Sequence, residues 1–186
     1  MGHLVPCSTC ENIKVFVLEK TRSLQFSFTM SMKSTPTFHL AQINIATAKY
    51  PMEDPRMHGF VSRLDEINAL AEGYDGFVWR LQDDSGNATN ISISDDPMLI
   101  VNMSVWESPE SLKNYVYKSV HVEVMRLRKH WFHLMKEAYY VLWWIPAGHI
   151  PTVEEAVEKL ELLRAHGPTP AAFDFKKVFE PGITAI

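Results

Sequence analysis

The residues of this chain best suited to chemistry fall in one stretch, "VNMSVWESPESLKNYVYKSVHVEVMRLRKHWF", Val101 to Phe132. His121 is the candidate acid, base or ligand, because an unperturbed imidazole titrates near neutrality. Asn102 and Ser104 are candidates to hold a substrate oxygen or an oxygen-derived anion, as fixed donors aimed at a developing charge do. Tyr117 stands close before His121 and completes the expected catalytic set of His121, Asn102 and Tyr117. Expected ligand contacts are Asn44, Ser104 and Arg128, with Trp79, Trp106, Trp131 and Trp143 as walls for a flat apolar molecule. An ordinary structural role stands beside each. A histidine flanking an apolar helical face can be a satisfied core residue. Inward Asn and Ser can bond a neighbouring strand, and an aromatic stripe can fill a core or a subunit interface.

The elements that must position these residues follow from periodicity. "MLIVNMSVWES", Met98 to Ser108, alternates as a strand. One face holds Leu99, Val101, Met103 and Val105. The other mixes Asn102 and Ser104 with Trp106, as a pocket wall would. Ser108 and Pro109 then form a helix start, and helical character runs to about Lys136 with a kink expected near Ser119. Upstream, "FHLAQINIA" (Phe38 to Ala46) is a strand whose Leu40 face turns polar at Gln42 and Asn44. Asp54 and Pro55 open a helix expected to reach Glu72, stopped by Gly73. "GFVWRLQ" is the second strand and "DDSGNATNISISDDP" a polar loop. "AYYVLWWIPAGH" is a fourth strand, apolar on both faces. Thr152 caps a last amphipathic helix, and "AAFDFKKVF" is an edge strand or a docking arm. The order β-α-β-β-α-β plus a C-terminal helix and tail is the ferredoxin-like, α+β order.

Composition limits the function classes. The chain has 186 residues, a net charge of −4 and 46% hydrophobic content, which suits one globular domain without a basic surface for nucleic acid. No apolar run approaches the ~20 residues that span a bilayer, so a soluble cytoplasmic protein without a membrane partner is expected. Cys7 and Cys10 form a single CxxC short of the four ligands of a structural zinc site, and no metal is expected. Residues 1–35 read as a disordered or mis-assigned extension, with Met30 or Met32 as the natural start, and residues 36–186 as the domain. No phosphate-loop, dinucleotide, zinc-protease or nucleophile-elbow motif is present. The acidic pairs Asp83–Asp84 and Asp95–Asp96 read as solvated turn formers, and His149 as a turn residue.

"FVWRLQDDSGNAT", "LIVNMSVWES", "YVYKSVHVEVMRLRKHWF" and "LWWIPAGHIPTVEEA" resemble a bacterial family of uncharacterised function grouped with the antibiotic biosynthesis monooxygenases. The resemblance spans roughly Phe38 to Phe179. It implies a ferredoxin-like unit that pairs sheets into a homodimeric α+β barrel, with a pocket between each sheet and its helices. It also implies, in some members, oxidation of polyketide-like aromatics without metal or flavin, and in others haem degradation. The wider group's strand-Trp, helix start, aromatic and Ser-x-His pattern falls on Trp106, Ser108, Tyr115, Ser119 and His121. The haem-degrading set needs an Asn on the first strand, met by Asn44, and a helical Trp, where this chain has Tyr115 or Tyr117. The expected function is a cofactor-independent, monooxygenase-like enzyme for an apolar aromatic molecule. The alternative is a protein that binds a hydrophobic ligand, haem included, without turnover. A sheet with helices on one face only would leave its aromatic second face bare, a further reason to expect a dimer.

Overall fold

The computed structural model describes residues 38–182. The expectations for residues 1–35, for Met30 or Met32 as the start and for Cys7 and Cys10 lie outside that range. Four strands, β1 (Phe38–Thr47), β2 (Phe77–Arg80), β3 (Leu99–Trp106) and β4 (Tyr140–Pro146), form one antiparallel sheet in the order β2-β3-β1-β4. This is the α+β, ferredoxin-like arrangement.

Both predicted helices between the strands are broken. The first is a 3-10 turn at Pro55–Met57, then α1 (His58–Val61) and α2 (Leu64–Glu72). Asp54 caps the turn, accepting from the Arg56 N–H at 2.9 Å. The second is α3 (Pro109–Lys118) and α4 (His121–Trp131), capped at its start by Ser108, whose Oγ accepts from the Ser111 N–H. The helix expected to reach Lys136 ends at Trp131, because Phe132 turns extended and bridges to Ala48 beside β1. The last helix, α5 (Val153–His166), starts at Thr152, whose Oγ1 accepts from Glu155 N–H, and ends at Gly167 with φ of 68°, a left-handed position suited to glycine.

The strand pairing divides the sheet's side chains by face. Leu40, Gln42 and Asn44 lie beside Trp106, Ser104 and Asn102 on one side and Trp144, Leu142 and Tyr140 on the other. This face packs under α2 and α3 through Ala71, Leu112 and Tyr115. The opposite face carries Ala41, Ile43, Ile45, Val101, Met103, Val105, Val141, Trp143 and Ile145, all buried.

That second face is not bare. Ala156, Leu160 and Leu163 of α5 pack on it, joined by Ile91 and Ile93 from the long loop before β3. The surface expected to call for a second subunit is covered by the chain itself, so its aromatic content gives no ground for sheet-to-sheet pairing. The segment expected as an edge strand or arm is an arm. Phe173 exchanges backbone hydrogen bonds with Leu142 at 2.8 and 2.9 Å, and its side chain is fully buried.

Candidate functional site

Between the first sheet face and the helices lies a cavity of about 230 Å³. Its floor is a chain of polar side chains crossing β1 and β3. Alternation puts Gln42 and Asn44 on the floor face, and the register sets them opposite Ser104 and Asn102. The Gln42 Nε2 group donates to Asn102 Oδ1 and to Ser104 Oγ, each at 3.0 Å, and Trp106 Nε1 donates to the same Ser104 Oγ at 2.8 Å. Gln42 and Ser104 are buried, so these bonds also offset the cost of taking polar groups out of water. With its lone pairs engaged by two donors, Ser104 has its own hydroxyl proton to offer, and Asn102 keeps its amide N–H groups.

His121 forms part of the wall, and the helix break places it there. Ser119 leaves helical geometry, its hydroxyl donates to the Tyr115 carbonyl at 2.6 Å, and its Oγ accepts from the His121 N–H at 3.1 Å. The Ser-x-His spacing therefore ends one helix and starts the next, with His121 as the first residue of α4. The imidazole Nδ1 lies 3.4 Å from the Val116 carbonyl. A carbonyl can only accept, so this contact selects the tautomer with a proton on Nδ1 and leaves Nε2 as the basic nitrogen. Burial lowers the His121 pKa, only partly opposed by the contact with Val116. The shift favours the neutral imidazole.

Aromatic rings fill the space around it. Tyr115 stacks on Trp106 at 5.1 Å and lies 5.1 Å from the His121 ring, ring centroid to centroid. Its hydroxyl donates to the Ile67 carbonyl at 3.2 Å, and burial pushes its pKa up. Tyr140 is also pushed up, to about 12, by burial first and then by the nearby Asp174 carboxylate. Tyr117 stands at the rim, 54% exposed, edge-on to Phe175 of the C-terminal arm. Arg128 lines the cavity from α4, lies over the Tyr139 ring and donates to its hydroxyl at 3.2 Å.

Of the residues expected from sequence, the cavity gathers His121, Asn102, Tyr117, Asn44, Ser104, Trp106 and Arg128. Three expected walls are elsewhere. Trp143 lies in the core on the opposite sheet face and donates to Glu155 Oε1 at 2.8 Å. Trp79 packs against that same core, because alternation along β2 turns it away from Arg80. Trp131 belongs to a third cluster with Met57 and Ala48, capped by Phe60. None of the three lines the cavity.

Arg80, Tyr140 and Gln42 are cavity residues beyond that set. A charged residue in the apolar run "GFVWRL" was the available signal for Arg80, and sharing a face with Asn44 was the signal for Gln42. Among the described residues, no group of three or more His, Cys, Asp or Glu side chains is placed to hold a metal ion, and no helix is long and apolar enough to cross a membrane. The cavity's volume lies below the ~300–1,000 Å³ of sites for drug-sized ligands.

Residues 39–185 match the family described as Domain of unknown function (DUF3291). The chain belongs to the DUF3291 family. No curated protein matches it. Among solved structures, it is similar to a protein of unknown function from Nitrosomonas europaea, at 12% identity and a TM-score of 0.40, over 63% of this chain and 98% of that one. A Pseudomonas aeruginosa protein is 12% identical with a TM-score of 0.42, over 62% of this chain and 100% of that one. A Chloroflexus aurantiacus protein, provisionally assigned as an antibiotic biosynthesis monooxygenase, is 19% identical with a TM-score of 0.32, over 62% of this chain and 98% of that one. At these scores nothing about the DUF3291 chain's activity follows from the three.

Proposed function

We propose that the chain is a small monooxygenase-like enzyme that binds a compact, largely apolar aromatic molecule between sheet and helices and starts its oxidation by removing a proton. The observation that carries this reading is one cavity that joins a neutral, half-buried imidazole to a floor of fixed hydrogen-bond donors. His121 Nε2 takes a proton from an acidic O–H or C–H of the substrate. The Ser104 hydroxyl and the Asn102 amide hold the resulting oxyanion. The electron-rich anion then reacts with dioxygen. One oxygen atom ends in a new carbonyl of the product and the other in water, which balances a phenol going to a quinone.

Oxygen uptake with 1-naphthol, with product analysis for 1,4-naphthoquinone and water, tests this. The intact chain should accelerate uptake above the buffer rate. His121→Ala should lose at least about a hundredfold, the lower range for a positioned general base, and Asn102→Ala should lose a smaller factor. Equal rates for both variants and the intact chain would remove these roles. A second reading, binding of a hydrophobic ligand without turnover, is favoured by the Gln42 network, which holds Asn102 and Ser104 already in place. It predicts a ligand-dependent rise in melting temperature and no oxygen uptake.

A further inference from the structure

The charges around the cavity are one-sided. Arg80 and Arg128 line it, and no aspartate or glutamate among the described residues does, although the whole chain carries a net charge of −4. The floor has the same polarity. Trp106 and Gln42 occupy the acceptor positions of Ser104, and Gln42 occupies the Asn102 carbonyl, so Ser104 and Asn102 present donors to whatever lies above them.

Arg80 is the most fixed of these groups. Its side chain is 11% exposed. Nε donates to Glu72 Oε1 at 2.7 Å, Nη2 lies 2.7 Å from the same oxygen, and Nη1 donates to the Gly86 carbonyl at 2.9 Å. A guanidinium has five N–H donors, so two are without a partner among the described residues. Glu72 is itself 47% exposed, on the solvent side of the pair, and does not line the cavity. It holds the guanidinium plane without adding a negative group to the wall. In the sheet, Arg80 pairs with Ser104, so cation and hydroxyl sit side by side on neighbouring strands.

We infer that the cavity selects small apolar molecules bearing an ionised oxygen group of carboxylate type, and that Arg80 is the residue that sets this preference. The remaining N–H groups can donate to an oxyanion, and a partly desolvated Arg–carboxylate contact is stronger than the neutral equivalent. The inference rests on the reading of this cavity as the ligand site and adds the ligand's charge class, which the base role of His121 does not require.

The test compares 1-naphthoate with its uncharged isostere 1-naphthamide by calorimetric titration of the full chain. Naphthoate should bind at least about tenfold more tightly, a modest return for one charge-assisted pair. Arg80→Met, which keeps the length of the side chain, should remove the preference, lowering naphthoate affinity far more than naphthamide affinity. Naphthamide binding that persists in the variant shows that the cavity has kept its shape. Arg80→Lys should restore part of the preference. Equal affinity for the two ligands in the intact chain, or a preference that survives Arg80→Met, would overturn the inference while leaving the cavity a ligand site. Failure of both ligands to bind at millimolar concentration would overturn it together with the reading it rests on.

Discussion

Gln42 and Ser104 face each other directly across β1 and β3, and the amide of the first donates to the hydroxyl of the second at 3.0 Å inside the protein. One residue thereby organises the cavity floor, since the same amide also holds Asn102. Replacing Gln42 by Leu keeps the volume and removes both bonds. It should cost about 1–3 kcal/mol, the scale of two net hydrogen bonds with one buried partner, Ser104, left short. Urea unfolding at neutral pH reads this, and an unchanged midpoint would show that the network adds nothing to stability.

His121 should make stability and function depend on pH in the same direction. Its pKa is lowered in the fold, so the unfolded chain binds a proton more readily. The stabilisation from keeping it neutral is complete above the unfolded value of about 6.5 and is lost as pH falls from there towards the folded pKa. Oxygen uptake should fall over the acidic side of the same range as Nε2 is protonated. Urea midpoints at several pH values between 7.5 and 5, for the intact chain and His121→Gln, isolate the contribution. The variant should lose less stability on acidification, and parallel curves would refute the assignment.

Glu155 ties α5 to the second sheet face by accepting from Trp143 Nε1 and contacting His149 Nε2, both at 2.8 Å. Trp143 is buried, so Glu155→Ala leaves an indole N–H without its partner. The expected loss is about 1–3 kcal/mol, and Glu155→Gln, which retains an acceptor, should recover most of it. Thermal or urea unfolding of the pair of variants decides the point; identical losses would mean the charge, not the acceptor, matters.

Leu160 anchors the same helix at 2% exposure. Leu160→Ala should cost about 2–5 kcal/mol. If α5 were a loosely attached addition, the melting temperature would hardly move.

Haemin provides a fifth check, on the size of the site. Added haemin should give no absorption band that differs between the intact chain and His121→Ala, because the cavity is too small for the macrocycle. A histidine-dependent band would show that the helices open further than their packing indicates.

Much of this architecture was legible in the sequence because strands one and three carry period-two patterns with distinct faces. That alternation alone puts Gln42, Asn44, Asn102 and Ser104 on one surface. The tryptophans were not legible in the same way. Trp79, Trp131 and Trp143 are large enough to serve as wall or core; the register and the position of α5 put Trp79 and Trp143 in the core, and packing with Met57, Phe60 and Phe132 does so for Trp131. The covering of the second face was hidden for a related reason. Ile91 and Ile93 sit in a run rich in Ser, Asp and Asn that reads as a solvated loop, yet those two side chains reach the core. The interruption of the α3–α4 segment was visible as Ser119, but its effect, presenting His121 at the start of a new helix, depends on the hydroxyl bonding in both directions.

The C-terminal arm is fastened by Phe173 against Leu142, while two residues later Phe175 meets Tyr117 at the cavity entrance. Anchor and gate are thus separate side chains on one short peptide. Exchanging Phe175 for a smaller residue would widen the doorway at the expense of one ring contact, with Tyr140 of β4, so the tail, rather than the sheet, is where a new guest could be admitted.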